Sequence, residues 1–222
     1  MIKRFSLLTK KQGVSTAEFM ERWEHHGTLV AKLPGLRRYV QSHVVHTEFV
    51  DRLEKIYPVI DGFAELYFDD YESMHSALAS PAHDPLVPDG DTFIGGLKTY
   101  LCNELTLLDG PREGKLKRIS LINPFHGMQN EEFMRRWHRH GEIVTELPGI
   151  HHYVQSHFKA VEIGDKDFEC DCTGIGAQWF DNEAVIRAAD TSEVHDGVLL
   201  DDGRQFLRSM SVYFTREKVI IG

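Results

Sequence analysis

The sequence predicts an α+β protein built from two ferredoxin-like β-α-β-β-α-β units that pair within one chain as a pseudo-dimer. Three observations carry this expectation. First, the length of 222 residues fits one large domain or two small ones. Second, 41% hydrophobic and 27% charged residues are globular proportions, which argue against disorder, collagen and a membrane-embedded class. Third, the chain repeats itself: 16 of the 26 residues from Glu18 to His43 are identical to their counterparts between Glu132 and His157.

The repeat is densest where Glu18-Phe19-Met20-Glu21-Arg22-Trp23-Glu24-His25-His26-Gly27 returns as Glu132-Phe133-Met134-Arg135-Arg136-Trp137-His138-Arg139-His140-Gly141. Leu33-Pro34-Gly35 returns as Leu147-Pro148-Gly149, and Tyr39-Val40-Gln41-Ser42-His43 as Tyr153-Val154-Gln155-Ser156-His157. Further on, Gly62 and Tyr67 face Gly174 and Trp179, His83-Asp84 meets His195-Asp196, and Tyr100 and Glu104 meet Tyr213 and Glu217. The polar stretch Asp109-Gly110-Pro111-Arg112-Glu113-Gly114 is the expected linker, dividing the chain into units 1–109 and 115–222.

Taken in order, Lys3 to Leu8 alternates as a strand does, and Lys10 to Val14 reads as a loop. Ser15-Thr16-Ala17-Glu18 has the form of a capping box that opens a helix, with Asn130 as the expected cap in the second copy. Pro34 and Gly35 should stop that helix near Leu33. Tyr39 to Val45, Gly62 to Phe68 and Leu97 to Glu104 read as strands, with a second helix over Tyr71 to Leu78, matched by Asn182 to Ala189. This order is the ferredoxin-like one. A four-stranded sheet with helices on one face leaves the other bare, so two copies can cover each other and close into a barrel.

The formal charge of −9, from 34 acidic and 25 basic side chains, disfavours a nucleic-acid partner. No stretch approaches the roughly 20 apolar residues of a membrane span, and the charged start Met1-Ile2-Lys3-Arg4 is unlike a signal peptide, so no membrane partner and a cytoplasmic location are expected. Three cysteines fit a reducing compartment. Cys170-Asp171-Cys172 lacks the second ligand pair of a structural zinc site, and the histidines of His138-Arg139-His140 and His151-His152 are not spaced to converge on one metal, so no metal is expected. No G-x-G-x-x-G, P-loop or G-x-S-x-G motif occurs.

A helix ending in W-x-x-H-G, followed by L-P-G and Y-V-Q-S-H, resembles the EthD domain of the dimeric α+β barrel superfamily, and the resemblance covers nearly the whole chain as a tandem. It implies a pseudo-dimeric α+β barrel and a role for the helix histidine. Relatives of that superfamily include lactone isomerases, polyketide cyclases and dehydratases, cofactor-free monooxygenases, and haem proteins such as chlorite dismutases.

On the first helix Phe19, Trp23, Val30 and Leu33 leave position 26 as the missing member of the apolar stripe, and it is His26. His140 repeats the arrangement beside Trp137. An inward imidazole tuned by desolvation is a candidate general acid/base, although the same placement suits a structural histidine bonded to a backbone carbonyl. Tyr39, Gln41 and His43, like Tyr153, Gln155 and His157, project from one face of a strand, either into a cavity as substrate contacts or into the seam between units. Glu65, which faces Ala177 in the second copy, is flanked by Phe63 and Tyr67, so burial should raise its pKa and make it a partner for His26. Trp23, Trp137, Tyr67 and Trp179 complete the expected substrate-binding set, with the two helix tryptophans also serving as core. His83-Asp84 and His195-Asp196 lie in loops and are weaker candidates.

These readings converge on a cofactor-independent isomerase, dehydratase/cyclase or lyase acting on a small aromatic, lactone or polyketide-like molecule. The expected partners are that substrate and, at most, a second copy of the chain. Two alternatives remain: a haem protein with one histidine on iron, and a non-catalytic small-ligand module.

Overall fold

The computed structural model describes residues 1–50, 53–54, 59–166 and 172–222; Cys170 and Asp171 lie outside them. The first unit runs β1 (Ile2–Lys10), α1 (Thr16–Val30), β2 (Leu36–Phe49), β3 (Gly62–Phe68), α2 (Tyr71–Leu78), α3 (Leu86–Gly90) and β4 (Ile94–Leu108). The second runs β5 (Leu116–Pro124), α4 (Asn130–Val144), β6 (Ile150–Lys166), β7 (Gly174–Phe180), α5 (Glu183–Ala189), a π-helical turn at His195–Leu199, α6 (Leu200–Gly203) and β8 (Leu207–Ile221). Each unit is a four-stranded antiparallel sheet with its outer pairs set by the ferredoxin-like order, β4-β1-β3-β2 and β8-β5-β7-β6.

The units meet edge to edge. Strand β2 pairs with β8 from Tyr39↔Ile221 to Phe49↔Ser211, and β4 pairs with β6 from Leu97↔Lys166 to Leu108↔Tyr153. The ladder therefore runs through all eight strands and returns to β1. Long β2, β4, β6 and β8 make this possible, because their far ends reach past their own sheet to the partner's. Strands β2 and β4 outrun the expected Tyr39 to Val45 and Leu97 to Glu104, since polar residues such as His46, Thr47 and Glu48 do not alternate with apolar ones; they are recruited by pairing across the seam, which hydropathy does not encode.

Two kinds of core follow from strand alternation. Inside the ring, Phe5, Leu7, Phe63 and Tyr100 meet Ile119, Leu121, Ile175 and Tyr213. Outside it, the opposite strand faces carry the helices: Leu8, Leu66 and Ile94 pack on Phe19, Trp23 and Val30, and Ile122 and Leu207 on Phe133 and Trp137.

Local signals explain the helix ends. The Ser15 side chain accepts from the Glu18 amide as a cap should. In the second unit Asn130 is not the cap: it is the first helical residue, and Gln129 stands in the cap position with no side-chain bond. The reason is register, since Phe133 and Trp137 must face the sheet as Phe19 and Trp23 do. Helix α1 ends at Val30 rather than Leu33, continuing as tight turns to Gly35, whose φ of 73° reverses the chain. Between the units, the amide of Gly110 donates to Nδ1 of buried His152 at 3.2 Å, which pins the connection to β6.

The one-residue difference in spacing between the copies has a visible location. His195 follows His83 by 112 positions, whereas Asp202 follows Asp89 by 113, and the π-helical turn lies between. A π turn is how a helix absorbs one extra residue.

Candidate functional site

The repeated W-x-x-H-G motif sets helix against sheet. Gly62 leaves room for the Trp23 ring, since a Cβ there would stand 2.2 Å from Trp23 Cζ3; Gly174 does the same for Trp137 at 2.6 Å. Gly27 and Gly141 let the helix approach Gln41 and Gln155. Gln41 Nε2 donates to the Trp23 carbonyl at 2.7 Å and to Tyr39 Oη at 2.9 Å, and Gln155 does likewise to Trp137 at 2.7 Å and Tyr153 at 3.2 Å. His43 and His157 lie on the two indoles, 4.5 and 4.8 Å between centroids, and donate from Nε2 to the glutamine oxygens. The Tyr-Gln-His rows thus face the helices, not the ring interior or the seam.

One turn beyond each tryptophan stands the helix histidine. His26 Nδ1 lies 2.7 Å from Asp89 Oδ2, and its ring meets the edge of Phe93. His140 Nδ1 lies 3.0 Å from Asp202 Oδ2, against Phe206. A carboxylate accepts only, so Nδ1 carries the proton and Nε2 is the nitrogen left for a ligand. Burial pulls both imidazoles below the ordinary value of 6.5, outweighing the raising effect of the aspartates. Both rings are therefore neutral near pH 7. Arg139 also engages Asp202, a contact the first unit lacks because His25 stands in its place.

Each histidine lies on the wall of a cavity between helices and sheet. The first, about 300 Å³, is lined by His26, Trp23, Tyr39, Arg4, Ser6 and His83 among others. The second, about 460 Å³, is lined by His140, Trp137, Tyr153, Arg118, Ser120 and His195, with Glu48, Phe49, Val50 and Leu53 contributed by the first unit. Burial pushes Tyr39 and Tyr153 up to about 12, so both remain phenols. A larger, open concavity along the β2–β8 seam holds none of the candidate site residues; Lys115 on its wall is paired with Asp181.

Glu65 departs from expectation. It points into the ring, on the opposite face of β3 from His26, so the two do not meet. Burial alone would raise its pKa, but Lys117 and Lys3 more than offset that and hold it well below the carboxylate range. Glu65 Oε2 lies 2.7 Å from Lys3 Nζ, Oε1 pairs with Lys117 Nζ, and Ser42 donates to Oε1 at 3.2 Å. Tyr67 and Trp179 lie in the same interior, donating to Glu104 at 3.0 Å and Glu217 at 2.6 Å. The carboxylate that meets His26 is Asp89 instead.

Asp89 and Asp202 escaped the sequence reading, although a signal exists: Asp-Gly-x-x-Phe recurs as Asp89-Gly90-x-x-Phe93 and Asp202-Gly203-x-x-Phe206. Asp-Gly reads first as a turn, which hides a carboxylate shared by both copies. Arg118 and Asp190 were missed for a different reason: strand register brings Arg118 to Gln178, and the end of α5 brings Asp190 to Arg118. Among the described residues there is no cluster of three or more metal-ligating side chains, and no helix is long and apolar enough to cross a membrane.

Two ferredoxin-like sheets joined edge to edge, each carrying its helices outside, define a fused member of the dimeric α+β barrel class. The anthrone oxidase-like protein of known structure superposes with a TM-score of 0.64 at 12% identity, over 99% of this chain and 93% of its own. A protein from Lactobacillus acidophilus provisionally described as a monooxygenase gives 0.60 at 10% identity, over 98% and 94%. One provisionally described as a chlorite dismutase gives 0.53 at 10%, over 97% and 94%. At these identities the likeness is one of fold. A search of curated protein sequences returns no match. The EthD domain profile matches residues 11–96 and again 126–209, and the chain belongs to that family, with two copies of the domain in tandem.

Proposed function

We propose that the chain is an enzyme that removes and returns a proton on a small ring compound bearing a carbonyl or hydroxyl group. The observation that supports this best is the repeated His–Asp pair, its imidazole neutral and with Nε2 available, on the wall of a largely apolar cavity. Asp202 fixes the tautomer of His140, and burial keeps the ring neutral, so Nε2 acts as the base at an acidic carbon or phenol and returns the proton as imidazolium. Tyr153, a phenol at neutral pH, supplies a donor on the same wall.

The resulting enolate is common to several fates. Reprotonation elsewhere gives an isomerase, and loss of a β-substituent gives a lyase or dehydratase. Reaction with dioxygen would give the chemistry suggested by the descriptions of the monooxygenase-like neighbours. A haem reading is less well supported: a porphyrin needs cationic partners for its propionates, whereas Arg118 is engaged by Gln178 and Asp190, and Arg204 by Asp201. An Nε2 such as that of His140 would suit as an axial ligand.

The test is deuterium exchange at the α-carbon of 2-tetralone, followed by NMR in D2O, which reads proton removal without knowledge of the natural product. Wild type should accelerate exchange, and His140→Ala should reduce the acceleration by about 10²- to 10⁴-fold. Exchange that survives in the His26→Ala/His140→Ala double variant, with the fold intact, would overturn the reading.

A further inference from the structure

The two cavities differ at positions that are equivalent by strand register. Arg4 on β1 stands opposite Leu66 on β3, whereas Arg118 on β5 stands opposite Gln178 on β7. The last residue of α2 is Leu78; the residue that closes α5 at the equivalent place is Asp190. Leu66 and Leu78 line the first cavity, and Gln178 and Asp190 line the second. The fold thus accepts two leucines here, so the polar pair is not something the scaffold requires.

Buried polar groups carry a desolvation penalty wherever leucine would serve, which points to a use. Arg118 Nε donates to Gln178 Oε1 at 2.6 Å, and Nη1 donates to Asp190 Oδ1 at 2.6 Å. With its oxygen taken, Gln178 has its amide nitrogen left to donate. Among the described residues that nitrogen and Arg118 Nη2 have no acceptor. Asp190 balances the guanidinium, so the group offers hydrogen-bond donors without net positive charge.

We propose that the second cavity is the productive one, and that it takes an uncharged ring compound whose carbonyl or phenolic oxygen is held by Gln178 and Arg118 on the sheet wall, while the first cavity is closed to that class by Leu66 and Leu78. The proposal rests on the acid/base reading only for the role of His140. Donors fixed on the sheet wall, across from the helix that carries the base, meet the oxygen on which charge develops as the proton leaves. Gln178 and Arg118 therefore act on both affinity and rate.

The test is calorimetric titration of the full chain with 2-naphthol, a stable phenolic stand-in for an enol, and with 2-naphthoate as the anionic control. Wild type should bind one 2-naphthol per chain, more tightly than 2-naphthoate. Gln178→Leu, which installs the first unit's residue, should weaken 2-naphthol at least tenfold. Gln178→Glu, which keeps the size and still accepts from Arg118 but removes the amide donors, should do the same, so a folding defect in one variant does not decide the matter. Leu66→Ala, which adds no hydrogen-bond donor to the first cavity, should leave the affinity and the stoichiometry of one per chain unchanged. Absence of 2-naphthol binding, two equal sites per chain, tighter binding of 2-naphthoate, or affinity that survives both Gln178 variants would each overturn the proposal. A chain that binds 2-naphthol through Gln178 but does not exchange 2-tetralone protons fails the acid/base reading alone. One that exchanges protons with binding independent of Gln178 fails only the present proposal.

Discussion

His140 is pulled in two directions: the cavity wall dehydrates its ring while Asp202 steadies the protonated form, and dehydration prevails. Proton abstraction should therefore rise with pH along a limb below 6.5 and be level above it, because the base is active only when neutral. Asp202→Asn removes the raising influence, so the limb should move to lower pH while the plateau falls by about 10²-fold through loss of the fixed tautomer. Exchange rates across pH 5 to 8 check both; a limb that moves upward would contradict the assignment. The helix histidines were legible because each interrupts an otherwise apolar stripe. Their aspartates were not, because Asp89 and Asp202 arrive from a segment whose Pro88, Gly90 and Gly203 read as turn, and closeness to the histidine is a product of tertiary packing.

Among the elements, α1 and α4 are the same helix with different starts. Ser15 caps one, while Gln129 leaves the other uncapped, so Gln129→Ser should stabilise the protein by about 0.5–1 kcal/mol. Gly174→Ala should do the opposite, costing about 1–3 kcal/mol as the methyl group meets the Trp137 ring, a fall of roughly 2–10 °C in melting temperature. Thermal melts of the two variants check these signs. The main strands and long helices could be read from periodicity and from stop signals such as Pro34-Gly35. Helix α3 could not, since Leu86-Val87-Pro88-Asp89-Gly90 is too short to show a period, and the π turn in the second unit leaves only a shift of one position between the copies. Tyr39, Gln41 and His43 were correctly seen to share a face, but alternation alone does not tell which layer that face meets.

At the scale of the whole molecule, the ring interior holds a charged cluster that belongs to neither unit alone. Lys3 reaches Glu65 and Glu104 at 2.7 Å and Ser156 of the other unit at 3.3 Å; Lys117 reaches Glu217 at 3.0 Å, Ser42 of the other unit at 3.3 Å, and Glu65. Since the folded pKa of Glu65 lies below its ordinary 4.5, the stability it contributes is present above that value and is lost as pH falls below it. Glu65→Gln should destabilise the chain at pH 7 by about 3 kcal/mol, and the gap from wild type should shrink in urea unfolding at pH 3. The sequence showed the Glu65/Ala177 difference but suggested a raised pKa, because the two lysines that decide the matter come from β1 and β5, far away along the chain. Two identical chains around a true two-fold axis must place every residue an even number of times, so a carboxylate beside that axis comes as a repelling pair or not at all. Joining the copies in one chain allows an odd count: one glutamate serves two lysines, a solution open to a gene that has doubled and diverged and closed to any symmetric assembly of its halves.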